Sequence, residues 1–437
     1  MGNSGRRESD SVPDTANRDP AIDLVRFICL ALVVVGHSMM VSPVLHPDGT
    51  VTTENTLGDQ HWFEPVIWIF MVMPLFFVTG GITGLQSWRR LKAGGGTAAQ
   101  FIRARLLRLV RPATALLASM VAGLSVAGAL GVDQQVVQLM ATGAAMPLWF
   151  LAAYLAAQLN IPALAALHAR APWLTLGLLT GLVVAVDCLR GALPDLANVN
   201  LVFVWCAVQQ LGFLAADGYF SRLSPSGLLG VAVAAHLLLG LVTGLGLYRG
   251  NMLVNLNPPN LTLVILGVAQ LAVMELARPL LAPLAQVGWI SRLLTLAGAR
   301  SLTVYLWHLP LLAAMSGLLL LAPIPKPGSG TAAWWWSRPL VVLVLVLLLL
   351  PVVAAFGHLE ERTTAMHAFR CRPALAGAGV VVVFIPVADA ALNGLSLGLL
   401  AAGAVCFFVA TLLLGGVPLG DRRKRKRGRR GIASGVK

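Results

Sequence analysis

Twelve apolar segments recur along this 437-residue chain, each close to the roughly 20 residues an α-helix needs to cross a bilayer. They fall at about 20–42, 63–86, 106–130, 145–166, 172–189, 199–216, 226–247, 259–282, 298–322, 337–357, 374–391 and 394–416. A soluble fold of this length cannot hide a composition that is 57% hydrophobic and 11% charged, with mean hydropathy +0.79. In lipid every backbone N–H and C=O must be satisfied within its own segment or barrel, so runs of this length read as helices. The expected fold class is all-α: a polytopic transmembrane helical bundle, with a ten-helix core and about two additional C-terminal helices. The last two runs are joined only by ADAALNG and fit either a helical hairpin or one broken helix.

The net charge of +14 would suit a nucleic-acid binder, but its placement excludes that partner. Basic residues cluster in alternate connections. With the N-terminus inside, the inner segments hold Arg6, Arg7 and Arg18; Arg89, Arg90, Lys92, Arg103, Arg105, Arg108 and Arg111; Arg170; Arg222; Arg292 and Arg300; Arg362, Arg370 and Arg372; and the tail RRKRKRGRR at 422–430. The outer segments hold only Arg190, Arg249, Lys326 and Arg338. This alternation follows the positive-inside rule. It predicts a multi-pass protein of the cell membrane with both termini cytoplasmic and its basic tail against membrane lipids. Residues 1–19 read as a disordered cytoplasmic leader before an uncleaved first span, since the first apolar run is too long for a signal peptide and lacks a cleavage site. Cys29, Cys188, Cys206, Cys371 and Cys406 are scattered, with neither metal-ligand spacing nor a disulfide framework, and no metal is expected. Trp334–Trp336 stand where an interfacial aromatic belt belongs.

The first span, DLVRFICLALVVVGH at 23–37, carries more than an anchor needs. Arg26 and His37 are eleven residues apart, which at about 100° per residue is three turns plus some 20°. They share one helix face, about 16 Å apart along the axis. Asp23 stands three residues before Arg26, within pairing reach. Ionisable residues in a span usually face a bundle interior or a water-filled cavity. Asp23 and Arg26 fit a structural ion pair near the inner interface or an anion contact; His37 fits a hydrogen-bonded core histidine or a general base.

Other stretches add polar groups to apolar surroundings. FIRARLLRLVRP (101–112) places Arg105, Arg108 and Arg111 at i, i+3 and i+6 where the third span begins. They form either an ordinary topological cluster or a docking surface for a phosphorylated substrate. SLTVYLWHLP (301–310) puts Ser301, Tyr305 and His308 on one side of a helix, as a packing seam or a working one. FGHLEER (356–362) closes the tenth span with His358, Glu360 and Glu361, for which salt bridges to inner arginines are the favoured reading. MPLFFVTGG (73–81) and PLWFLAAYL (147–155) combine aromatic and small residues suited to helix packing. No internal repeat is visible.

Taken in order, RDPAIDLVRFICLALVVVGH, MPLFFVTGG, the R-x-x-R of Arg105 and Arg108, PLWFLAAYL, SLTVYLWHLP and the Leu-Glu of FGHLEER resemble the acyltransferase-3 family of integral membrane acyltransferases, over about residues 18–365. The resemblance implies an acyl-CoA-dependent acyltransferase. It would pass an acyl group, often acetyl, from cytoplasmic acyl-CoA to a hydroxyl of a cell-envelope glycan, glycolipid or glycosylated metabolite. By the same match His37 corresponds to the catalytic base and Arg26 to the first-span arginine. Arg105 and Arg108 correspond to the donor-contacting pair, which Arg111 here extends to three. Asp23, Ser301, Tyr305, His308 and Glu360 are expected as supporting residues. No bound cofactor is implied; acyl-CoA is a co-substrate.

The domain division expected on this reading is a leader at 1–19, an acyltransferase-3-like transmembrane domain at 20–365, an additional hairpin at 366–420 and a basic tail at 421–437. Two rival readings stand beside it. One is a transporter or flippase of a lipid-linked sugar, moving substrate without consuming acyl-CoA. The other is a membrane sensor or scaffold for which His37 is dispensable.

Overall fold

A computed structural model describes residues 19–46, 51–322, 326–360, 371–393 and 396–415. The leader as far as residue 18, the tail at 421–437, Glu361, Arg362 and Arg370 lie outside the described residues. In chain order the elements are α1 Pro20–Met40, β1 Val41–Leu45, β2 Val51–Asn55, α2 Phe63–Phe70, α3 Met73–Ala93, α4 Ala98–Ala129 and α5 Gln134–Leu159. Then follow α6 Ile161–Arg170, α7 Pro172–Leu189, α8 Asn200–Ala216, α9 Pro225–Gly244, α10 Leu261–Gln286 and α11 Gly288–Ala299. The chain ends with α12 Ser301–Leu321, α13 Ala332–Phe356, α14 Pro373–Asn393 and α15 Leu397–Gly415.

Among the described residues twelve spans are long and apolar enough to cross a membrane, with α2 and α3 forming one of them and α6 and α11 none. The protein is a multi-pass helical membrane bundle. Polar loop residues start several of its helices. Asp19 accepts the Ala21 N–H at 3.0 Å to cap α1, and Thr97 with Gln100 forms a reciprocal capping box on α4.

The second span is not continuous. Between α2 and α3 the backbone leaves the helix at Met71–Val72, and α10 repairs the break. Gln270 donates Nε2–H to the Met71 carbonyl at 2.8 Å and accepts the Leu75 N–H at 3.1 Å. One side chain thus satisfies a freed acceptor and a freed donor, which lets irregular backbone persist inside a bilayer. Just beyond, α3 crosses α8 at very short range. A Cβ on Gly81 would stand 2.3 Å from the Gln209 carbonyl oxygen, and one on Gly212 would stand 2.1 Å from that of Val78. The small residues of MPLFFVTGG are therefore what brings the two backbones together. Gln158 bridges the crossing by donating to Gln209 Oε1 at 3.1 Å.

The last two helices form a hairpin, and α14 extends through Asp389 to Asn393, so that residue lies in the helix and not in the connecting turn. The hairpin lies along α4: Phe407, Ala410 and Leu414 share a buried cluster with Leu106, Val110 and Leu117. Buried Arg103 donates Nε–H to the Leu414 carbonyl at 2.6 Å and Nη2–H to the Gly415 carbonyl at 3.1 Å. A cation at the last carbonyls of a helix complements its dipole, so one arginine of the basic cluster has a structural partner.

At the end of the bundle away from that cluster, α1 runs directly into the antiparallel pair β1–β2, in register from Val41↔Asn55 to Leu45↔Val51. This ribbon was not anticipated from the sequence. Thr56 donates to Ser42 Oγ at 2.8 Å and is hydrogen-bonded to Ser329 at 2.6 Å, while Trp68 Nε1–H reaches the Gly250 carbonyl at 2.8 Å. The three tryptophans of residues 334–336 do not act alike. Trp336 is 83% exposed and suits a lipid interface, whereas Trp334 is 3% exposed and turned inward.

The glycine crossing generates a stability prediction. Gly212→Ala forces a methyl group into backbone and should cost about 1–3 kcal/mol, as overpacking of a tight interface does. It should lower the thermal unfolding midpoint in detergent. Gly230→Ala on α9, where an added Cβ meets nothing within 4 Å, should leave it unchanged or raise it.

Candidate functional site

Helix α1 packs against α10, α3, α12 and α13, so its polar face is enclosed. Its start is fixed by Asp19, which caps the helix and pairs with Arg278 of α10. Arg26 donates Nη1–H to Thr83 Oγ1 at 3.4 Å and lies over the Phe76 ring at 5.4 Å. Both partners belong to α3. No ion pair joins Arg26 to Asp23 among the described residues, contrary to the expectation from their spacing. α3 draws the guanidinium into the bundle, while Asp23 stays in the first turn of α1, where the helix dipole favours a carboxylate.

Arg26 lines an open-mouthed cavity whose empty space, including that continuous with the outside, is about 560 Å³. Arg105 and Arg108 of α4 line it as well, with Ser301 and Tyr305 of α12 and the aromatic rings of Phe76, Phe150 and Tyr154. The Arg105 guanidinium lies over the Phe101 ring at 4.9 Å. Arg111 is not part of the lining. Six residues on a helix turn about 600°, leaving Arg111 some 120° from Arg105, whereas Arg108 is only about 60° away. The cavity thus combines three cations with aromatic walls, a chemistry suited to a phosphate-bearing molecule whose remainder is apolar or thin.

His37 stands in the last turn of α1, beyond the aromatic wall. Its Nδ1 lies 2.8 Å from Nε2 of buried His308, and the rings are near-parallel with centroids 5.1 Å apart. His308 Nδ1 in turn reaches the Tyr305 carbonyl. A carbonyl can only accept, so His308 carries its proton on Nδ1 and, when neutral, presents a lone pair at Nε2. His37 must then donate from Nδ1, which leaves the lone pair of a neutral His37 on Nε2. A chain from backbone carbonyl to buried imidazole to second imidazole fixes both tautomers. The sequence placed Tyr305 and His308 on one helix side; it gave no sign that His308 meets His37, 271 residues away.

Glu360 has a different place from the salt bridge expected for it. Its carboxylate accepts the N–H groups of Leu302, at 3.1 Å, and Thr303, and the Thr303 hydroxyl. It therefore caps the first turn of α12, with no ion-pair partner within 4 Å among the described residues. Four N–H groups at a helix start lack intrahelical partners, and a buried start must find acceptors elsewhere. His358 is exposed and lines no part of the cavity. Among the described residues no group of three or more His, Cys, Asp or Glu side chains is placed to hold a metal ion.

Against known proteins, the family model Acyl_transf_3, an acyltransferase domain, matches residues 19–358. No curated protein and no solved structure matches the chain. The matched region takes in α1 through α13 and stops two residues before Glu360, so that cap falls just beyond it and α14 and α15 well beyond it.

Glu360→Ala strips a buried helix start of its acceptor and should cost about 1–3 kcal/mol, the penalty for unsatisfied buried donors. Glu360→Gln keeps one acceptor oxygen and should cost less. Thermal unfolding of the two variants in detergent checks the order.

Proposed function

Because the chain belongs to the acyltransferase-3 family, we propose that this multi-pass membrane acyltransferase takes an acyl group from cytoplasmic acyl-CoA and passes it to a sugar hydroxyl of a cell-envelope glycan, glycolipid or glycosylated metabolite. The group transferred is a short acyl, acetyl foremost. The observation that carries the reading is the Tyr305 carbonyl–His308–His37 chain, which leaves His37 Nε2 as a base in a bundle that also holds a three-arginine cavity.

The parts divide the chemistry as follows. Arg26, Arg105 and Arg108 attract the phosphates of the donor at the basic end of the bundle. The thioester-bearing arm runs past Phe76, Phe150, Tyr154 and Tyr305 along the face of α1, covering the about 16 Å between Arg26 and His37. His37 Nε2 takes the proton of the acceptor hydroxyl as its oxygen attacks the thioester carbonyl. The C–S bond breaks as the new C–O ester bond forms, and the proton passes from His37 to the departing thiolate. Acyl ester and free CoA thiol result, and His37 returns to its neutral form. His308 holds the imidazole in the working tautomer and shares the charge that appears on it. Both termini lie in the cytoplasm on this reading, which puts the arginine cavity on the side where CoA is found.

His37→Ala is expected to insert and accumulate normally while losing acyl transfer by about 10²–10⁴-fold, the usual worth of a general base. The comparison to make is acetyl-CoA consumption and glycan acylation, by mass spectrometry, in cells with equal amounts of each protein. Full activity in the variant ends the assignment; sugar movement across vesicles with no acetyl-CoA consumed would favour transport.

The donor cavity has its own test. Replacing Arg105 and Arg108 together with Gln should weaken acetyl-CoA binding by more than tenfold. Each charge-assisted hydrogen bond in an enclosed site is worth roughly 1.5–3 kcal/mol, against 1 kcal/mol or less for an exposed pair. Arg111→Gln, outside the lining, should change it little. Calorimetric titration with acetyl-CoA separates the two.

A further inference from the structure

A run of side-chain contacts leads from the far end of the bundle to the turn of α1 that carries His37. Trp62, just before α2, is 54% exposed and its ring centroid lies 6.1 Å from that of Trp335, tilted by 54°. Trp335 meets Trp334 edge-on at 4.7 Å. The Arg338 guanidinium lies over Trp334 at 4.1 Å and donates Nη1–H to the Ser38 carbonyl at 3.3 Å. Ser38 follows His37. Exposed aromatic surface and catalytic helix turn are thus joined through four side chains in direct contact.

A membrane anchor does not explain the outer pair. Trp336, the neighbour that points away, already has the exposure of a lipid-facing ring. Trp62 and Trp335 instead stand beside polar loops, the half-buried Trp335 also resting on the core. Gln60 donates to the Thr56 carbonyl at 2.9 Å, Thr56 meets Ser329, and Trp335 Nε1–H is taken up by the Gly330 carbonyl at 3.1 Å. With its N–H bound to the loop carbonyl and part of its ring packed on the core, Trp335 is held in place, and the part left exposed offers ring surface without a free donor. An immobilised aromatic face with a hydrogen-bonding rim suits the apolar C–H face of a pyranose, whose hydroxyls project from the ring edge toward polar neighbours.

We propose that Trp62 and Trp335 form the platform on which a sugar ring of the acceptor docks, at the end of the bundle opposite the arginine cavity. The proposal rests on the acyl-transfer reading above. Arg338 is its positioning residue: braced on Trp334, it holds the last turn of α1 and so couples the platform to His37. Donor and acceptor then approach from opposite ends and meet at the imidazole, each without crossing the other's path.

The test uses the full-length protein and its native acceptor. Variants are produced at equal levels in cells lacking the native copy, envelope-glycan acylation is read by mass spectrometry, and acetyl-CoA affinity is measured on each purified protein by calorimetry. Trp62→Ala and Trp335→Ala should each lower glycan acylation about tenfold or more, as truncation of a central aromatic contact does, with acetyl-CoA affinity unchanged. Trp62→Tyr should retain most acylation, Trp62→Leu should not, and Trp336→Ala should behave as wild type. Wild-type acylation in both alanine variants, or equal acylation in the Tyr and Leu variants, overturns the proposal. So does a parallel loss of acetyl-CoA binding, which would mark the pair as a structural brace. If the wild-type protein itself acylates no glycan, the acyl-transfer reading fails first and takes this platform with it.

Discussion

Inside a bilayer no water is available to a stray donor or acceptor, and the arrangement of this protein follows from where its backbone groups find partners instead. Helices satisfy nearly all of the backbone. Three of the exceptions are each met by a side chain from a distant part of the chain. Gln270 of α10 closes both sides of the break between α2 and α3. Glu360 receives the buried start of α12. Arg103 covers the last carbonyls of α15. Each contact is also a tie between distant helices, so satisfying the backbone and fixing the bundle are the same act.

The candidate site grows out of those ties. Because Glu360 sets where α12 begins, it sets the height of Ser301, Tyr305 and His308 relative to α1. Because α3 and α8 approach through Gly81 and Gly212, Phe76 and Thr83 reach the Arg26 guanidinium. The His37–His308 contact is the place where the two helices meet polar to polar. Within the pair each imidazole supplies what the other lacks and the Tyr305 carbonyl ends the chain, so His37 Nε2 is the ring nitrogen left open. A buried hydrogen-bonded chain of this kind is rigid, and rigidity is what the base proposed above needs if it is to present one particular lone pair.

The hairpin α14–α15 bears on how the chain divides. It lies outside the region matched by the acyltransferase family, yet it packs on α4, the helix that carries Arg105 and Arg108 into the cavity. Two helices added beside the cavity arginines, with an arginine of the same cluster bound to their end, brace α4 along its length. They are packed on α4 as a support for the cavity wall.

The number of spans was legible in the sequence, because a run of about 20 apolar residues has few fates other than crossing a bilayer. So was the shared face of Arg26 and His37, because helical periodicity fixes angles between residues of one helix and needs no tertiary information. The same arithmetic separates Arg105 and Arg108 from Arg111 once the cavity gives it a direction. The order of the motifs was enough to indicate the family. Tertiary structure alone decided which groups meet. It paired Arg26 with Thr83 and Phe76 in place of Asp23, gave Glu360 a helix start in place of an arginine, joined His37 to His308, and set three consecutive tryptophans in buried, half-buried and exposed positions. The physical reason is common to all four. A local pattern states what a side chain can offer, but in a medium without water the partner is whichever complementary group the packed helices bring within about 3 Å, and that depends on residues far away in the chain.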